Sequence, residues 1–250
     1  NIGTELAARA PADGYTLIVD SVGPIAVNPT LYKNLTIDPL TDLVPIVQIA
    51  NVPNVLVVPA ALGVTTLDEL VARSKAQVNG FSYGSTGIGT SSHLSGYMLA
   101  KRAGFEATHV PYKGADAVRD LLAGRIQFMF ATIPSVITHI HSGALRALAV
   151  TSLQPSRSLP GVPTVADSGF PGFEAGSWFG FFAPKGTPAD VVTTLNRAVD
   201  EIVKQPSLDS QMVREGADPV GGSPEQFAQF VRREFEKWRA IVRESGATAE

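Results

Sequence analysis

Apolar positions along the chain fall into short runs of strand length that alternate with stretches repeating every three to four residues. Strand-like runs occupy residues 15–19, 44–50, 54–58, 81–83, 107–110, 128–130 and 145–150, and an aromatic run around Trp178 marks another at 173–183. Helical spacing ends near Pro11 and reappears from about Ser92, over 116–123 and over 134–141. After Pro188, Val191, Val192, Leu195, Val199 and Ile202 share one helical face.

Two helix starts are written in capping residues. Thr66 with Glu69 reads as a capping box ahead of Leu67, Leu70 and Val71. Ser223, Pro224 and Gln226 supply cap, first-turn proline and box partner for a long helix whose stripe includes Phe227, Phe230, Val231, Trp238 and Ile241. Residues 153–171 have no period and carry four prolines, which reads as an ordered winding connection.

Strand and helix alternating with short connections predict an α/β fold with parallel sheets covered on both faces. The run of βα units at residues 59–172 is self-contained, whereas the segments on either side are incomplete as separate halves. This predicts a discontinuous first lobe, 1–58 and 173–250, with an inserted second lobe, 59–172, joined by two crossing strands. Lys and Arg outnumber Asp and Glu in the inserted lobe, and the reverse holds elsewhere. Two hinged lobes make a cleft that can close over a small molecule.

Composition narrows the chemistry. The chain has 250 residues and a formal net charge of −3, which argues against nucleic acid as a partner. No apolar run is long enough to span a bilayer. There is no cysteine, so disulfides, thiolate metal sites and a cysteine nucleophile are excluded. No metal site or cofactor is expected, since His139 and His141 are two apart and face different sides of a helix.

The candidate site is residues 81–93, FSYGSTGIGTSSH: a strand, three glycines, a cluster of hydroxyls and a helix start. Gly84, Gly87 and Gly89 allow tight turning and close approach of a ligand, and Thr90 or Ser91 can cap a helix whose free N–H groups attract an anion. Thr90 stands where a nucleotide-binding loop needs lysine, so a nucleoside triphosphate is disfavoured. GFSYG at 80–84 matches the nucleophile-elbow pattern, with His109 following, but Ser82 falls inside the strand after the polar run 73–79, against a serine hydrolase. Ser21, Val22 and Gly23 make a loop at a strand's C-terminal end, where open α/β sheets place ligands.

Seven segments carry a family likeness: GSTGIGTSSHL at 84–94, VPYKG at 110–114, LAGRI at 122–126, ALRALAVTS at 144–152, VPTV at 162–165, WFGFFAP at 178–184 and GSPEQF at 222–227. Together and in this order they resemble the Bug family, the substrate-binding proteins of tripartite tricarboxylate transporters. The resemblance implies a two-lobed periplasmic-binding-protein type II fold, each lobe a doubly wound βα sheet. It also implies that a first strand and helix of the first lobe, and a secretion signal, belong ahead of Asn1. The implied function is capture of a small organic carboxylate or dicarboxylate in the cleft and delivery to the permease subunits in the membrane, without enzymatic turnover or membrane insertion.

On the same resemblance, Ser21, Val22 and Gly23 hold the ligand from the first lobe, and Gly84, Ser85, Thr86, Gly89, Thr90 and Ser91 from the second. Ala131 and Thr132 face its other end. Tyr112 either lines the cleft or packs on its own lobe, while Lys113 and Arg125 are placed off the site. Trp178 is assigned to hinge packing. A ligand-sensing module that signals to a partner remains the main alternative function.

Overall fold

The computed structural model describes residues 1–78 and 80–249, so Asn79 of the polar run before Ser82 and Glu250 lie outside the described residues. The chain divides into two compact units. Unit 1 comprises 1–51, 177–213 and 218–250, and unit 2 comprises 52–176 and 214–217.

Unit 1 begins with helix α1 (Ile2–Ala8) and strand β1 (Ile18–Ser21). Strand β1 pairs antiparallel with β7 (Gly176–Pro184), in the register Ile18 to Phe182 through Ser21 to Phe179. A π-helical turn (Gly23–Val27) and the short helices α2 (Asn28–Leu31) and α3 (Pro39–Asp42) lead into β2 (Leu43–Pro59). The N-terminal half of β2 pairs antiparallel with β8 (Asp218–Pro219). Helices α8 (Ala189–Val203), α9 (Pro206–Arg214) and α10 (Pro224–Ser245) complete the C-terminal part of the chain.

The apolar stripes behave as their spacing requires. Ile46, Val47, Ala183 and Val192 form one buried cluster of unit 1, with Leu195 and Val199 against it. Trp178, Phe182, Phe227 and Phe230 form an aromatic group, and the indole N–H groups of Trp178 and Trp238 both donate to Glu234 Oε2, at 3.0 and 2.9 Å. Trp178 is thus core packing. Helix α10 starts with the full capping box, Ser223 accepting from Gln226 N–H and Gln226 from Ser223 N–H.

Unit 2 holds the C-terminal half of β2, then α4 (Leu67–Ala76), β3 (Phe81–Ser85), α5 (Ser91–Ala103), β4 (Ala107–Pro111), α6 (Asp116–Leu122), β5 (Phe128–Thr132), α7 (Ile133–His141) and β6 (Leu145–Val150). Strand β3 pairs parallel with β4 and β5, whereas β2 pairs antiparallel with β5 and β6. The sheet is therefore mixed and not wholly parallel, because β2 enters from unit 1 instead of from a βα crossover. Val55 and Val57 of β2 are fully buried with Ala117, Leu121, Ile126, Met129 and Val150.

Several boundaries differ from expectation. The two predicted strands at 44–50 and 54–58 are one 17-residue strand, since the polar Asn51 and Pro53 interrupt the apolar pattern without ending the extended backbone. Residues 52–58 and 173–176 pack with unit 2, where Phe173 stacks on Phe130. At α4 only half of the predicted box forms. Thr66 caps Glu69 N–H, but the Glu69 carboxylate turns to Thr65 N–H and Oγ1, which holds it below the ordinary glutamate range.

Candidate functional site: a glycine corner at a helix start

In unit 1, β1 passes almost directly into the π-helical turn, so the loop expected at 21–23 is a strand-to-helix corner. Val22 already has helical torsions and is buried, and nothing lies within 4 Å of the position a Gly23 side chain would take. Asp20, buried before this corner, accepts from Ser21 N–H at 2.8 Å and Thr4 Oγ1 at 2.7 Å. Burial raises its pKa above the usual carboxylate range, partly opposed by those two bonds. Neither Asp20 nor Thr4 stood out in the sequence.

In unit 2, β3 delivers Ser85 to the corner and α5 leaves it from the Thr90 cap. Gly87 (φ 139°) and Gly89 (φ 79°) adopt backbone angles that side chains disfavour, which is why the turn between them is glycine-rich. Thr90 Oγ1 donates to Gly87 O at 2.8 Å and accepts from His93 N–H at 3.3 Å, capping α5. Among the described residues, the backbone N–H groups of Thr86, Ile88, Ser91 and Ser92 have no hydrogen-bond acceptor. The Thr86 and Ser91 hydroxyls also have none. Two free donors in the first turn of a 13-residue helix, Ser91 and Ser92, with two more in the loop before it, favour a bound anion.

The predicted site residues thus separate into groups. Thr86 and Ser91 are accessible donors, and Gly89 shapes the turn. The Ser85 and Thr90 hydroxyls are used internally: Ser85 Oγ lies 3.0 Å from Gly87 O, 3.1 Å from Gly87 N and 2.6 Å from His109 Nε2. Gly84 is a spacer. It lies inside β3 with ordinary torsions, and a side chain there would meet Ile126 Cδ1 at 2.4 Å. The Ala131 side chain belongs to the unit 2 core, so only its backbone can be presented to a ligand. Thr132 sits half-buried at the N-cap of α7. Tyr112 packs on its own lobe, its hydroxyl donating to Asp120 Oδ2 at 3.0 Å.

Two histidines are functional candidates that the sequence did not bring together. His93 Nδ1 accepts from Gly89 N–H at 3.1 Å, and the His93 ring stacks on that of His109 with centroids 3.8 Å apart. Burial pushes both down to about 4, and for His109 the neighbouring His93 adds to the effect. Both rings are neutral at pH 7. The spacing of Ser85 and His109 is that of a nucleophile and its base, but Ser85 is fully buried and tied to Gly87, which leaves no room for attack on a substrate. Ser82 is mid-strand, its N–H held by Gln127 Oε1.

Among the described residues no group of His, Asp or Glu is arranged to hold a metal. The α/β fold is that of the two-lobed type II periplasmic-binding proteins. Solved structures agree: an R. palustris protein, Rpa4515, with adipate is 35% identical, with a TM-score of 0.89 over 99% of this chain and 83% of that one. MatC from Rhodopseudomonas palustris with bound malate is 27% identical, with a TM-score of 0.81 over 96% of this chain and 83% of that one. Among curated proteins, BugT of Bordetella pertussis is 38% identical over 248 residues, 98% of this chain and 76% of BugT. The chain belongs to the TctC family, the tripartite tricarboxylate transporter family receptors, whose description matches residues 1–247.

Proposed function

We propose that this chain is a periplasmic solute-binding protein that captures a small organic carboxylate or dicarboxylate and hands it to the permease of a tripartite tricarboxylate transporter. The observation that carries the reading is the set of free N–H groups at Thr86, Ile88, Ser91 and Ser92, with the Thr86 and Ser91 hydroxyls beside them. Charge-assisted hydrogen bonds of about 1.5–3 kcal/mol each can hold a carboxylate there without an arginine. Ser21, Val22 and Gly23 supply a second contact surface in this reading, through the Ser21 hydroxyl and the open face of Gly23. Thr132 serves the far end of the ligand. Relatives carrying adipate and malate support the ligand class. The solute-binding family supports a receptor and not an enzyme.

Calorimetric titration of the full chain with adipate and malate tests this. Binding of at least one is expected, without turnover. Ser91→Asp separates ligand capture from folding, because a carboxylate in the first turn suits the helix while repelling an incoming anion. Its affinity should fall by at least about tenfold with the melting temperature maintained or raised. Undiminished binding in Ser91→Asp, or no heat with either acid, rejects the site.

A further inference from the structure

The glycine corner is held from behind by an aromatic stack that takes one ring from each of several elements. Tyr83 of β3 stacks on Phe128 of β5, with ring centroids 5.3 Å apart, and lies 5.0 Å from His109 of β4, which in turn stacks on His93 of α5. Two hydrogen bonds run from this stack into the corner. Gly89 N–H donates to His93 Nδ1, which requires that nitrogen to be without a proton. His109 Nε2 meets Ser85 Oγ, and with Ser85 donating to Gly87 O the 2.6 Å contact is a donation from His109 Nε2–H.

We propose that His93 and His109 are positioning residues for the anion corner: the neutral stacked pair holds Gly89 and Ser85 in the form that leaves the neighbouring N–H groups free, and a proton taken up by the pair releases the corner and its ligand together. The ligand half of this statement rests on the carboxylate reading above; the link between ring and corner does not.

The geometry dictates the direction of the effect. A proton on His93 Nδ1 sets two N–H groups against each other across 3.1 Å, so Gly89 loses its acceptor. The titratable groups facing the pair are Tyr83 from β3 and each ring toward the other, and Tyr97 of α5 acts on Tyr83 behind them. Tyr83 donates its hydroxyl to His93 O, and burial pushes its pKa upward, so it stays neutral across the acid range. Among the described residues no carboxylate is bonded to either ring to stabilise an imidazolium. Two stacked rings also cannot both take protons without mutual repulsion. Protonation therefore acts on the corner, where the pair's hydrogen bonds end.

The test uses the full chain in two forms, wild type and His93→Asn/His109→Gln, in which amide groups keep partners near Nδ1 and Nε2 but do not titrate. Histidine ring and Gly89 amide resonances are followed from pH 7.5 to 4 with near-UV circular dichroism as the check on folding. Adipate affinity is measured at each pH.

In wild type the Gly89 amide should move with the His93 ring, and at pH 4, where the pair is about half protonated, adipate affinity should have fallen by about twofold more than in the variant, on the way to the roughly tenfold that one lost hydrogen bond represents. The variant's own profile reports the titration of adipate itself. Three results overturn the proposal: a Gly89 amide that ignores the ring titration, identical affinity profiles in the two forms, or loss of the near-UV signal at the pH where the rings protonate. If adipate fails to bind at pH 7, the carboxylate reading falls and the ligand half with it, while the Gly89 and ring titrations still decide the positioning role.

Discussion

Gly84 shows what a single residue in a motif can conceal. Within the run GSTGIG it looks like part of a ligand loop, yet its missing side chain makes room for Ile126 in the unit 2 core. Gly84→Ala should therefore destabilise the fold by about 1–3 kcal/mol through overpacking. Urea denaturation checks this, and adding Ile126→Val should recover part of the loss. A Gly84→Ala variant as stable as wild type contradicts the packing account. The distinction between Gly84 and its neighbours Gly87 and Gly89 was not legible in the sequence, because a glycine required by φ and one required by a facing side chain are spelled alike. Ser85 and His109 were equally opaque. Their contact spans adjacent parallel strands, and nothing local to either residue announces it.

Elements with local signals were read well, and those that depend on partners were not. The starts of α5 and α10 followed from Thr90 and from Ser223 with Gln226, since a cap is a contact between residues three apart. Helix α9 went unpredicted, its nine residues having no buried side chain to give it a stripe. The direction of β2 relative to its neighbours is set by strand pairing far along the chain, which no periodicity encodes. Helix α10 offers a test at this scale. Its Glu234 accepts both Trp178 and Trp238 indoles and pairs with Lys237. Glu234→Ala should lower the denaturation midpoint more than Glu234→Gln, because the amide oxygen can still accept from an indole while alanine leaves both N–H groups without an acceptor in the core. Equal losses in the two variants argue against the bonds and for lost volume alone.

For the whole molecule, the two buried histidines make stability depend on pH with a defined sign. Their folded pKa values, about 4, lie below the ordinary 6.5, so between those limits the unfolded chain binds protons that the folded chain refuses. The stability they contribute is present above 6.5 and is lost as pH falls toward 4. Asp20 acts in the opposite sense. Its pKa is raised, so what it contributes is complete below 3.8 and is lost as pH rises through its folded value. Urea midpoints at pH 7, 5.5 and 4.5 should fall steadily in wild type and less steeply in His93→Asn/His109→Gln; parallel slopes contradict the assignment.

The division of the chain also fixes an order of events as it refolds from denaturant. All but four residues of unit 2 come from the continuous stretch 52–176, whereas residues 1–51 need partners at 177–213 and 218–250 to complete unit 1. In a pulse-labelling experiment during refolding, amides of β3, β4 and β5 should gain protection ahead of those in α1 and β1. The waiting stretch would be the part of the refolding polypeptide most open to chaperones and proteases.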